Sequence, residues 1–326
     1  MSRFTLSRVV QARFWVVLLL MAGGCASPVR TDRVQYEQSD WISQTGLTGL
    51  RMLSPNYDLR VTAKDEILRQ YLPEFMEAAL VEYQKVMPPA RDPGEKMIIY
   101  VFNDRPEWVQ FTLGFAPNHT HIYMHIHTGG YMDQARATAV LWDIGREHTL
   151  ALVAHEGWHQ YLAKCFPEPV PAWLNEGLAT QWEGFDIKGE RPVFNSAGNY
   201  MRRGHLRDAL SAGGQDGLIP LAELLAMDAG YAVVKTGATV RNYYTQVWSL
   251  ILFLREGQVK EYTQGFRRLL ADAGTTRMQA AVRAYRAASS GAEQYSSGEV
   301  IFRHYITEDM EAFKEAYREY ALNLVF

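Results

Sequence analysis

TLALVAHEGWHQYLA, residues 149–163, decides how the rest of this chain is read. Apolar residues flank His155-Glu156-Gly157-Trp158-His159 on both sides and give it a helical context. On a helix, residues four apart lie about 40° apart around the axis, so both imidazoles can reach one ion. Glu156, one position after the first histidine, would lie beside that ion, where a carboxylate can take a proton from water.

Downstream, Pro167, Pro169 and Pro171 mark turns and lead into AWLNEGLAT, residues 172–180. Pro171 suits the first turn of a second helix, which would bring Glu176 in as a third ligand. Two histidines and a carboxylate leave a fourth position open, as catalytic zinc sites do, whereas structural sites are closed by a fourth protein ligand. The expectation is one zinc ion per chain, held by His155, His159 and Glu176.

HEGWH followed by WLNEGLAT resembles the gluzincin metallopeptidases, above all the catalytic domain of the aminopeptidase N family. It is also similar to a group of secreted bacterial peptidase-like proteins. The resemblance implies a thermolysin-like catalytic domain that hydrolyses peptide bonds in peptide or protein substrates, with Glu156 as general base. It also implies a role for Tyr244. In the resembling enzymes a tyrosine opens a Y-x-K-G-x-S-V segment and donates a hydrogen bond to the tetrahedral intermediate; here Gln246 stands where they have lysine. His205 is the second choice for that donor, and Asn175 and Thr180 are candidates to support the ligands through hydrogen bonds. The strand before the zinc helix, ATAVLWDIG (137–145), lacks the GxMEN motif that grips a substrate's free amine. An endopeptidase is therefore expected rather than an aminopeptidase. The reading from another class is a non-catalytic lipoprotein that binds peptide or cell-wall material through the same zinc-containing cleft.

Further outward, HTHIYMHIH (119–127) offers His119, His121, His125 and His127 as a rival metal site. Ile122, Met124 and Ile126 alternate with them, which predicts a half-buried strand with the histidines on its outer face. No cysteine or carboxylate cluster lies nearby to complete a site. Strands are also expected at Tyr57–Val61, at MIIYVF (97–102) and at ATAVLW (137–142). A helix is expected around residues 67–83, kinked or split by Pro73, and another after Asp104 and Pro106. From Thr149 on, helical patterns dominate. The fold class expected is α+β: a small N-terminal sheet with helices, then a mostly helical half.

The first 25 residues stand apart. Arg3, Arg8 and Arg13 precede the short apolar run FWVVLLLM (14–21), and Ala22-Gly23-Gly24-Cys25 follows. A run of about eight is too short for a membrane span of roughly 20 but suits a secretory signal. The ending resembles a lipobox, which implies lipidation of Cys25 and anchoring of an exported protein to a bacterial membrane, by resemblance the outer one. Residues 26–56, polar and turn-rich, read as a tether, and 57–326 as the catalytic domain. The remaining cysteine, Cys165, has no disulfide partner if Cys25 carries lipid and is expected to pack as a small hydrophobe. A net charge of −3 without a basic stripe speaks against nucleic acid as a partner.

Overall fold

The two most apolar strands show where the core lies. In Met97–Phe102 (β4), Met97, Ile99 and Val101 face one cluster of buried side chains while Tyr100 and Phe102 face another. In Thr138–Trp142 (β6), Ala139 and Leu141 take the first side, Val140 and Trp142 the second. A strand covered on both faces needs no polar alternation, which is why both read as continuous apolar runs.

The computed structural model describes residues 33–127, 129–188, 191–212, 217–227 and 238–326. The leader 1–25 and Cys25 lie outside the described residues. Among those described, no helix is long and apolar enough to cross a membrane. From residue 34 on, the chain forms one compact unit, mixed α+β, with the sheet first and helices after it.

The sheet also contains Glu37–Ile42 (β1), Thr48–Leu53 (β2), Tyr57–Val61 (β3) and Gly130–Asp133 (β5), in the order β1-β2-β3-β4-β6-β5. The pairs β3–β4 and β4–β6 are parallel and the rest antiparallel. The expectation of a tether over residues 26–56 is thus corrected: residues 37–53 supply two strands. Pairing of β2 with β3 is reinforced where Asp58 accepts hydrogen bonds from Arg51 and Arg60, each 2.8 Å at the closest.

Glu66–Val86 (α1) and Arg146–Cys165 (α4) pack on one face of the sheet, and Arg105–Phe115 (α2) on the other. Asp65 caps α1 by accepting from the Ile67 and Leu68 amides, both at 3.0 Å. Its carboxylate also receives the Arg146 guanidinium, which ties the first turns of α1 and α4 together. Pro73 does not split α1. It is buried within one continuous helix whose Leu72, Phe75 and Met76 join the core on either side of it. Asp104 caps α2 as its sequence suggested.

The histidine-rich stretch is not a strand. Pro117–His119 is a 3-10 turn and Thr120–Tyr123 (α3) one short helical turn. Its carbonyls are claimed elsewhere: the Arg105 guanidinium donates to Met124 O (2.9 Å) and Ile126 O (3.2 Å). Tyr123 stacks on Tyr131 with ring centroids 3.6 Å apart. Met124 and Ile126 do pack inward against the second cluster, and all four histidines are exposed.

The second half is built on helices: Ala172–Ala179 (α5), Tyr200–Ala212 (α6), Leu221–Ala226 (α7), Ala238–Glu256 (α8), Lys260–Asp272 (α9), Thr276–Ala288 (α10), Ser297–Tyr305 (α11) and Met310–Val325 (α12). α8 is its centre, with Val247 and Ile251 in the main core and Trp248 and Leu252 packed with Leu206 of α6 and Ala321 of α12. One element was not expected there. Phe185–Lys188 (β7) and Arg191–Phe194 (β8) form a hairpin, and Phe185 and Phe194 lie against Phe75 of α1 at 4.9 and 5.5 Å. Cys165 is free and fully buried, and burial pushes its thiol up to about 11.

Candidate metal centre

α4 is fixed before any ligand is considered. Gln160 donates to Ile98 O (2.8 Å) and Ala137 O (2.6 Å), which pins the helix to the sheet. On its other side Tyr83 of α1 donates to Ala154 O at 2.6 Å, and Trp158 meets the Tyr83 ring edge-on. Gly157 is required by that closeness, since a Cβ there would lie 3.0 Å from the Tyr83 hydroxyl and 2.6 Å from Met76 Cε. Gly177 plays the same part between α5 and α8: a Cβ would stand 2.5 Å from Ile251 Cγ1 and 3.0 Å from Val247 O. The glycines of HEGWH and NEG are therefore where α1 and α8 close on the two helices that carry the candidate ligands.

His155, His159 and Glu176 are brought together. Glu176 Oε2 lies 3.3 Å from His155 Nε2 and 3.4 Å from His159 Nε2. All three side chains are buried, and the oxygen has no hydrogen-bond partner among the described residues. Bonds of about 2.05 Å in a tetrahedral site put neighbouring donor atoms about 3.3–3.4 Å apart, so these separations fit a zinc ion. It is the one such group of histidine, cysteine and carboxylate side chains among the described residues, and His119, His121, His125 and His127 form none.

The far side of each ring is also held. His155 Nδ1 is 2.9 Å from Glu183 Oε1, and His159 Nδ1 is 2.9 Å from Asn175 Oδ1, which also accepts from Trp158 Nε1 at 3.2 Å. With Nδ1 committed to these acceptors, Nε2 of each ring faces Glu176 and is the nitrogen that a metal would take. Arg202 of α6 grips Glu183 with two hydrogen bonds of 2.7 and 2.8 Å. Asn175, a candidate for support, thus hydrogen-bonds one of the candidate ligands. Thr180 does not, because its hydroxyl donates to Gly177 O at 2.8 Å.

Neither Glu183 nor Arg202 was expected. The one local signal for Glu183 is its spacing of seven from Glu176, about two helical turns. That signal is blurred because α5 ends at Ala179 and tightens into a 3-10 turn over Thr180–Glu183. Arg202 arrives from beyond the β7–β8 hairpin, and no spacing announces it.

Electrostatics follow from burial. Desolvation alone would lower the His155 pKa, but the Glu176 and Glu183 carboxylates raise it to about 10. Burial would raise Glu183, yet Arg202 and His155 hold it down at about 2. Glu176 is likewise held well below the usual carboxylate range by the two histidines, against its desolvation. Glu156 moves the other way: burial raises it, the histidines offset part of this, and Glu176 and Glu183 add to it. No described residue hydrogen-bonds its carboxylate.

Tyr244 lies in the second turn of α8, its ring 6.0 Å from the His155 ring and under the Arg202 guanidinium at 5.7 Å. Burial and the nearby Glu176 and Glu156 charges push its phenol well above the ordinary value, so it stays a protonated donor. His205, the alternative donor, sits on α6, where burial and the charges of Arg202 and Arg241 lower its pKa. It makes no hydrogen bond, ion pair or ring contact with any of the three candidate ligands.

The fold and site define a mixed α+β protein with a buried His-His-Glu group able to hold a metal ion. The chain is similar over residues 149–272 to a family described as a protein of unknown function (DUF1570). That stretch spans α4 to α9 and holds His155, His159, Glu176, Glu183, Arg202 and Tyr244. No curated protein matches the chain.

Proposed function

We propose that this protein is a zinc-dependent hydrolase of peptide bonds, of gluzincin type with a thermolysin-like catalytic domain, acting as an endopeptidase. The observation that carries the reading is the spacing of three buried donor atoms, 3.3 and 3.4 Å across Glu176 Oε2, with both imidazoles fixed from behind. Zinc held by His155, His159 and Glu176 would polarise the scissile carbonyl and acidify water at neutral pH.

The chain's own groups supply the rest. Glu156, with its raised pKa and no hydrogen bond from a described residue, takes the proton of the attacking water as the C–O bond forms. It returns that proton to the leaving amine as the C–N bond breaks. Tyr244 keeps its phenolic proton and donates toward the carbonyl oxygen as that oxygen becomes negative. Arg202, ion-paired with Glu183, lies over the Tyr244 ring. Glu183 and Asn175 hold the two histidines in register through the cycle.

The reading includes lipidation at Cys25 and a membrane-held, exported protein, supported by the basic and apolar leader ending in AGGC. The test is cleavage of a mixed peptide library by zinc-loaded protein, read by mass spectrometry. Internal bonds should be cut. Glu156→Gln should keep its zinc and lose about 10²–10⁴-fold in rate, and Tyr244→Phe should keep its zinc and lose about 10²-fold in kcat. A fully zinc-loaded wild type that cuts no peptide would refute hydrolysis and leave a peptide-binding lipoprotein.

A further inference from the structure

Val34, where the compact unit begins, donates its amide to Glu74 Oε2 of α1 at 2.8 Å. The other oxygen of that carboxylate pairs with the Arg191 guanidinium of β8 at 3.6 Å. Beside Glu74, Phe75 packs on Phe185 and Phe194, the first residue of β7 and the last of β8. The start of the compact unit is thus joined through one carboxylate to the β7–β8 hairpin.

Chain length then limits how far that hairpin stands from an anchor. Cys25 precedes Val34 by nine residues, a stretch that spans at most about 30 Å when fully extended. With lipid on Cys25, Val34 stays within that distance of the bilayer surface. The hairpin, joined to Val34 through Glu74, is among the parts of the fold held nearest to it.

The side chains exposed there suit a lipid surface. Ile187 of β7 is 49% exposed and Val193 of β8 41%. Tyr36, two residues after Val34, is exposed, and so is Ile67, seven residues before Glu74 and hence on the same stripe of α1. Tyr200, 73% exposed, lines the same cavity as Ile187. Large apolar side chains gathered in one region mark a contact with a membrane or a protein, and tyrosine favours the level of lipid headgroups. Lys188, exposed beside the turn, has a long apolar stem and a cationic end that stays in water.

We propose that the β7–β8 hairpin, with Tyr36, Ile67 and Tyr200 around it, forms a face that rests on the lipid surface holding Cys25. A short link to the anchor keeps this face over the lipid at an effective concentration on the order of mM, so a few apolar side chains suffice. Glu183, which holds His155, comes two residues before β7. The metal centre therefore works close to the bilayer, on peptide chains presented there. This rests on the reading of Cys25 as lipidated, and the test measures lipid and docking separately.

Full-length protein isolated from bacterial membranes is weighed by mass spectrometry for acyl chains on Cys25. It is then reconstituted into vesicles of phosphatidylethanolamine and phosphatidylglycerol. Ile187→Cys, Val193→Cys and Leu113→Cys variants each carry an environment-sensitive fluorophore on the new thiol, for which the fully buried Cys165 does not compete. Leu113 is exposed on α2, across the sheet from α1, and serves as the reference. Emission from the labels at 187 and 193 should shift to the blue and be quenched by lipids spin-labelled near the headgroup, and emission from 113 should do neither. Adding Ile67→Asp and Tyr200→Asp should abolish the shift at 193 while the lipid on Cys25 remains. All these positions are exposed, and an unchanged guanidinium midpoint checks that each variant is folded. A lipidated protein whose labels at 187 and 193 behave like the one at 113 would overturn the docked face and leave the anchor standing. A mature chain without lipid would overturn both.

Discussion

Glu183 shows how much of a site can hang on one carboxylate that touches no ligand atom directly. It accepts from His155 Nδ1 and is gripped by Arg202, which in turn lies over the Tyr244 ring. Glu183→Gln keeps the shape but removes the charge, and its amide can present either oxygen or nitrogen to Nδ1. Zinc affinity should fall about 10–100-fold, measured by competition with a chelator. Unchanged affinity would show that His155 needs no such support. At this scale the sequence was legible where chemistry is local. His155, Glu156 and His159 sit within one turn and a half of helix, and Asn175 adjoins Glu176, so spacing alone placed them. Arg202 could not be found that way, because its contact depends on how a hairpin returns the chain.

At the scale of elements, the two glycines of the motif helices differ in what surrounds them. At Gly157 the closest obstacle is the end of the flexible Met76 side chain, and at Gly177 it is Ile251 backed by the Val247 carbonyl of α8. Gly177→Ala should therefore cost more stability than Gly157→Ala, about 1–3 kcal/mol for such overpacking. Guanidinium unfolding of the two variants checks the order, and an equal or inverse ranking would show that α5 and α8 can part without penalty. Elements buried on both faces, β4 and β6, were plain in the sequence because their apolar runs have no other use. β1 was hidden by its exposed, mostly polar composition (EQSDWI), in which Trp41 alone packs against a core ring, that of Tyr100. The histidine stretch has a period of two, yet takes a helical turn because Arg105 claims its carbonyls and Tyr131 its aromatic ring. Alternation fixes which side chains can share a face. It does not supply a neighbouring strand.

Across the whole molecule, buried charge links stability to pH. Burial would raise Asp58, but Arg51 and Arg60 lower it below its ordinary value of 3.8, and Glu183 is held at about 2 against an ordinary 4.5. A carboxylate depressed by folding stabilises the fold above its ordinary pKa, and that contribution is lost as pH falls through the folded value. In metal-free protein His155 has the opposite sign. Raised from 6.5 to about 10, it stabilises fully below 6.5 and ceases to do so as pH rises through 10. The guanidinium midpoint of metal-free protein should thus fall on both sides of neutrality, toward pH 3 and toward pH 10. Asp58→Asn should lower the midpoint at pH 7 and flatten its acid limb. An acid limb unaltered by Asp58→Asn would place the acid sensitivity elsewhere.

The most direct test of the metal centre is elemental analysis of protein purified without chelator, beside a Glu176→Gln, His159→Ala variant. About one zinc per wild-type chain, and little in the variant, is the result expected of a His-His-Glu site. A wild-type chain that takes up no metal even after incubation with zinc, or a variant that retains a full equivalent, would contradict it.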